Sequence, residues 1–112
     1  MIMAIGLAGA ILLMGQAQPP RPRSDPKLWI TALDFPAVER PRERNVVGVR
    51  LTVGKTGYVV GCVVVASSGL SEFDRLTCRL LISRGRYVPA TSAAGRVVTG
   101  HVRMSVAWQL PE

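Results

Sequence analysis

Few side chains in this sequence can do covalent or metal chemistry. The chain has one His, His101, and two Cys, Cys62 and Cys78. A serine–histidine or cysteine–histidine mechanism would rest on His101 alone. A zinc finger or knuckle needs about four Cys/His ligands at short spacing. C-x-x-C, G-x-x-x-x-G-K-[ST] and G-x-G-x-x-G are all absent. Neither a thioredoxin-like redox centre nor a phosphate-cradling loop is therefore encoded. No set of polar residues forms a recognisable catalytic group. The expectation is a binding protein rather than an enzyme, with no metal and no cofactor.

The cysteines carry the remaining chemistry. Cys62 falls in a predicted strand and Cys78 in the helix that follows it. A helix returning over its own sheet can bring such a pair to the roughly 5.5 Å Cα separation of a disulfide. Closing that loop constrains the unfolded chain by roughly 3 kcal/mol. Two buried free thiols are the alternative. An even Cys count behind an export-type leader favours an oxidising compartment.

The elements that must position these residues follow from pattern. The chain has 112 residues, 48% of them apolar, which allows one domain with its own core. Asp34-Phe35-Pro36 opens a short helical pattern that Pro41 ends. Val47, Val49, Leu51 and Val53 alternate with small or polar residues, as in a half-buried strand. Gly54-Lys55-Thr56-Gly57 is a turn, and residues 58–67 form a second strand paired to the first. That second run is apolar on both faces, so it is expected to be the central strand or to carry a bulge. Ser71 and Asp74 read as a capping box. Phe73, Leu76, Thr77, Leu80 and Arg84 form a helical stripe, with Gly85 as the residue just past the helix end. Residues 86–90 read as an extended link and Ala94-Gly95 as a turn. A long alternating strand closes the chain. Val98, Gly100, Val102, Met104, Val106, Trp108 and Leu110 face one way, and Thr99, His101, Arg103, Ser105 and Gln109 the other. Helices on one face of the sheet give two layers.

The N-terminal part is organised differently. Residues 1–18 carry no charged side chain, and the run from Ile2 to Met14 is apolar or Gly. With Gly15-Gln16-Ala17 after it, residues 1–17 read as a signal peptide cut after Ala17. An uncleaved membrane anchor is the rival, although a span needs roughly 20 apolar residues. Residues 18–28 hold four Pro and two Arg in a stretch expected to be an extended tether, and residues 29–112 are the folded domain. The charge of +7 favours anionic envelope surfaces and acidic peptides. With aromatics at 5% and Arg40, Arg42 and Arg44 as the local basic cluster, nucleic acid is not expected as a partner.

From Trp29 to Leu110 the chain resembles the C-terminal domain of TonB, the energy transducer of Gram-negative envelopes. The landmarks are Trp29, Asp34-Phe35-Pro36, the run from Gly48 to Val53, and Gly57. They continue with Val63-Val64-Val65-Ala66-Ser67-Ser68-Gly69, Phe73-Asp74 and Arg86-Tyr87-Val88-Pro89-Ala90. Gly95 and Val106-Ala107-Trp108-Gln109-Leu110 complete them. Cys62 and Cys78 sit where a disulfide-bearing subset of that family has its pair.

The resemblance implies an α+β fold, with two helices packed on one face of a three-stranded antiparallel sheet. It implies a periplasmic module that binds the TonB box, an extended peptide of an outer-membrane transporter, beside the last strand, in the service of energy-dependent transport. Thr99, His101, Arg103 and Ser105 are then the expected partner contacts. The alternative is a structural envelope domain that forms a homodimer through its edge strand. A full TonB also has a long membrane helix and a long Pro-rich spacer. The Pro-rich stretch here reaches roughly 25 Å at ~3.1 Å per residue, so a stand-alone domain is expected. Membrane contact is expected only through an uncleaved leader, which would anchor the domain to the inner membrane.

Overall fold

The computed structural model describes residues 15–38 and 44–109. The leader up to Met14, the helix stop at Pro41, the basic positions Arg40 and Arg42, and the strand end at Leu110 and Pro111 lie outside those residues. Among the described residues no helix is long and apolar enough to cross a membrane.

The central strand is β2, which follows a two-residue strand β1 (Arg21–Pro22) and spans Arg44–Val53. Its inward residues Val47, Val49, Leu51 and Val53 are completely buried. A turn leads to β3 (Val59–Ala66), antiparallel to β2. Gly57 closes that turn at φ 89°, and a Cβ there would lie 2.2 Å from the Tyr87 carbonyl oxygen. Both the left-handed backbone and the close approach demand glycine. After the helix, short strands β4 (Tyr87–Val88), β5 (Ala90–Thr91) and β6 (Val97–Val98) precede β7 (Gly100–Gln109). β7 pairs with β2 through ten consecutive partners, and the sheet order is β3-β2-β7.

The expectation that residues 58–67 form the centre is therefore corrected: β3 is an edge. Its two-sided apolar character reflects register shifts at both ends of the β2–β3 ladder, which is the bulged form. Val63 and Val65 are left about half exposed.

The helix α1 (Ser71–Arg84) covers the inner face, with Phe73, Thr77 and Leu81 buried. The Trp108 indole N–H donates to Thr77 Oγ1 (2.8 Å), and the Thr77 hydroxyl donates to the Phe73 carbonyl (2.7 Å). Phe35 packs edge-on against both Phe73 and Trp108. Cys62 and Cys78 form a disulfide across a Cα separation of 5.5 Å, joining β3 to α1.

Three local expectations are corrected. Ser71 does not cap the helix; Leu70 holds the cap position without a side-chain bond. Asp74 instead reaches back past the helix start to the Ser68 amide (3.0 Å) and the Ser67 and Ser68 hydroxyls. Partial burial pushes the Asp74 carboxyl up, but these hydrogen bonds outweigh it and hold it below its ordinary value. Gly85 is the C-cap at φ −66°, not a left-handed residue. It is glycine for space, since a Cβ would lie 2.6 Å from the Leu81 oxygen and 2.9 Å from Val59 Cγ2.

The third correction is the number of helices: among the described residues there is one α-helix, not two. A 3₁₀ turn at Ala32–Asp34 ends where the first was expected to open, and residues 35–38 carry no helix. Phe35 then turns to ψ 121°, the extended geometry that the ring of Pro36 imposes on the residue before it.

The Pro/Arg-rich stretch is extended and lies against the domain. β1 pairs with β4, and Gln18 exchanges two backbone bonds with Thr91 (2.9 and 3.0 Å). The Arg23 amide and Nε donate to the Arg86 and Tyr87 carbonyls. Pro20 is buried above Gly100, where a Cβ would come within 2.8 Å of Pro20 Cγ.

Thr77→Val leaves the buried Trp108 N–H without its acceptor and is expected to cost about 1–3 kcal/mol in urea unfolding. Adding Trp108→Phe should make the two losses less than additive. Replacing both cysteines by Ala is expected to lower stability by about 3 kcal/mol in the same assay.

Candidate functional site

Among the described residues β7 is paired on one side only, so along its other side the backbone N–H and C=O groups have no ladder partner there. Two adjoining clefts follow this edge along residues 104–109. The first, of about 440 Å³, lies between residues 104–107 of β7, Leu81 of α1, and Asp25, Pro26, Lys27 and Ile30. The second, of about 190 Å³, runs on between residues 106–109 and Ile30, Thr31, Ala32 and Phe35. Ile30, Val106 and Ala107 are common to both, so the two form one groove along the strand.

The far wall of the groove is irregular chain held by side-chain bonds. A 3₁₀ turn at Pro26–Leu28 starts on Asp25, whose carboxylate accepts from the Lys27 amide (3.0 Å). Trp29 is buried edge-on against Tyr87, its indole N–H donating to Ser24 Oγ (2.9 Å). Arg84, from the last turn of α1, grips the wall at two points. One nitrogen donates to the Trp29 carbonyl (2.7 Å) and to Asp34 (2.8 Å), and the other reaches the second Asp34 oxygen at 3.0 Å. This two-pronged bond from Arg84, with the Thr31 amide, holds the Asp34 carboxyl below its ordinary value, and Asp34 in turn raises Arg84. Burial pushes the Tyr87 hydroxyl up.

The four sequence-predicted contacts are placed unevenly. Thr99 precedes β7, in the break between β6 and β7. His101, Arg103 and Ser105 alternate along the exposed face of the strand, away from the helix. His101 Nδ1 and Thr52 Oγ1 are hydrogen-bonded at 3.2 Å, and Arg103 stands directly across from Arg50. Of the four, the groove takes in Ser105 alone. Sequence reasoning missed Ile30, Val106 and Ala107. Ile30 beside a Pro/Arg-rich stretch was the one available signal, since an apolar residue there needs something to pack on.

Chemically, the groove offers unpaired main-chain donors and acceptors beside an apolar floor. Among the described residues no three His, Cys, Asp or Glu converge as metal ligands would. The arrangement suits an extended chain laid along β7, with every second side chain turned into the groove.

The Asp34–Arg84 grip predicts a pH dependence. The folded carboxyl is held below 3.8, the ordinary aspartate value, so its contribution is complete above that pH. It is lost as pH falls through the folded value. Asp34→Asn should be less stable than the parent chain at neutral pH. The gap should close below about pH 3.8 in urea melts taken across the acid range.

Residues 32–110 match the family model described as Gram-negative bacterial TonB protein C-terminal. No curated protein and no solved structure matches the chain significantly. The matched span covers the sheet, the helix and the β7 edge. It leaves out residues 18–31, which supply the β1 pairing and much of the groove wall.

Proposed function

We infer that this chain, which belongs to the family of Gram-negative TonB C-terminal domains, is a periplasmic interaction module that takes up extended peptides of outer-membrane transporters as an added strand beside β7. The carrying observation is the open β7 edge with an apolar groove alongside residues 104–109. Main-chain bonds to the edge supply affinity with little dependence on sequence. Specificity comes from the alternate side chains, one set entering the groove over Ile30, Met104 and Val106. The other set runs past the outer face, where His101, Arg103 and Ser105 stand as contacts. Thr99 marks the point where the added strand would leave the sheet.

The N-terminal stretch refines this reading. Residues 18–23 are bonded to β4 and β5, so the Pro/Arg-rich segment works as a strap on the domain and supplies no free spacer. Residues 1–17 then act as a leader directly joined to the folded unit, either cleaved on export or holding it at the inner membrane.

A second reading has its own observation. β3 is an edge strand with no charged residue between Val59 and Ala66, which gives little protection against self-pairing. Association through β3 would appear as a mass that rises with protein concentration.

The test is a titration of the ¹⁵N-labelled, oxidised chain with transporter peptides carrying the TonB box. Saturable amide shifts are expected along residues 103–109 and in residues 25–32 of the opposite wall. Ile30→Asp, which puts a charge on the groove floor, should weaken binding by about tenfold or more. Absence of shifts at millimolar peptide overturns the strand-addition reading.

A further inference from the structure

No described element covers the sheet face turned away from α1, and the composition of that face is uneven. On β2 and β7, Arg50 and Arg103 are register partners, both exposed. Like charges directly opposite each other on a sheet repel. Among the described residues neither has a carboxylate partner, the one ion pair there being Arg84–Asp34. The described acidic residues all lie elsewhere. Asp25 and Asp34 sit in the groove wall, and Glu72 and Asp74 at the start of α1. Beside the two guanidiniums lie His101, bonded to Thr52, and Val63, the partner of Arg50 on β3. Val63 and Val65 are 53% and 50% exposed. Gly48, Gly61, Ser105 and Ala107 keep the middle of the face small, while Val46, 38% exposed and paired with Ala107, adds a further valine and exposed Gln109 lies near its end. The result is a surface with two adjacent cations and a margin of bare valines.

We propose that this face docks on an anionic lipid surface, with Arg50 and Arg103 on the phosphates and Val63 and Val65 against the outermost acyl carbons. The argument is charge complementarity. Two adjacent guanidiniums with no carboxylate partner among the described residues call for oxyanions, and one sheet face presents them together. Half-exposed β-branched side chains beside the cations suit the headgroup boundary, where apolar and cationic groups are both satisfied. An extended acidic peptide, by contrast, finds its hydrogen-bonding partners at the strand edge. The proposal does not rest on the peptide-binding reading, because the outer face and the groove are different surfaces. It adds a membrane contact made by the folded domain itself, beyond that of the leader.

His101 gives a direct readout, because it lies on this face and is the only His in the chain. The full oxidised chain is treated with diethyl pyrocarbonate, and ethoxycarbonylation of His101 is followed by mass spectrometry. This is done with vesicles of phosphatidylcholine alone and with vesicles containing one part in three phosphatidylglycerol. A leader inserted in both kinds of vesicle leaves the comparison intact. Each surface guanidinium adds about fivefold to partition onto an anionic bilayer. Anionic vesicles are therefore expected to slow the His101 reaction by about threefold or more, with the effect fading in high salt. R50E/R103E should abolish the slowing, and R50Q/R103Q, milder for the sheet, should reduce it. R75E/R79E removes the same charge from exposed positions on α1 and should leave the slowing in place.

An equal rate with both kinds of vesicle overturns the proposal, as does an equal loss of shielding in R75E/R79E. Shielding by soluble polyglutamate but not by vesicles overturns the lipid assignment in favour of an acidic polypeptide.

Discussion

The hydrogen bond from the Trp108 indole to Thr77 sets where the helix lies on the sheet. Both groups are buried, so neither can be exchanged for water, and an unpaired indole N–H there would be expensive. Once Trp108 on β7 and Thr77 on α1 are joined, Phe73 and Phe35 close around the indole. Cys62 and Cys78 then tie the same helix to the far edge of the sheet. One strand edge is thereby stapled and the other held by a hydrogen bond, with β2 fully buried on its inner face between them.

This arrangement distributes function to the periphery. The interior holds aliphatic and aromatic side chains whose polar atoms are satisfied. Among the described residues what remains open is the β7 edge, the β3 edge and the outer sheet face. The β7 edge differs from β3 in having a wall beside it, and that wall is chain from before the family-matched span. Arg84 holds the wall to the helix, reaching from α1 to Trp29 and Asp34, and Trp29 packed on Tyr87 anchors it to β4. The family core supplies the strand that accepts a partner. The N-terminal strap shapes what can lie next to it.

Much of the fold was legible in the amino-acid order. The period-two alternation in residues 47–53 and 100–109 marked both long strands and the faces they bury, because a pleated strand turns successive side chains to opposite sides. It did not show that the expected run from Val98 breaks at Thr99, with Val98 in β6 paired to β5. The helix was legible from Phe73 and Thr77 at helical spacing, and the Gly57 and Gly95 turns from glycine placement, both at positive φ. Legibility failed where short-range signals compete. Ser71 and Asp74 have capping spacing, but Asp74 finds three donors in Ser67 and Ser68 that the spacing does not reveal. Pro36 suits a first helical turn, yet it also drives Phe35 out of helical geometry, and the second effect won. The groove was least legible. Its two sides, residues 25–35 and 104–109, are far apart in the chain and share no pattern.

By itself the sequence determined which side chains face the core, where the two long strands and the helix run, and the family to which they belong. These are local properties, set by residue type and period. The tertiary structure decided the strand order, the β7 edge left open, the strap formed by residues 18–23, and the pairing of Arg50 with Arg103. Each of those is a long-range contact whose energy depends on what lies across the gap, and no single segment carries that information. Strand register in particular places Arg50 beside Arg103, and a shift of one residue would turn Arg103 to the other face of the sheet.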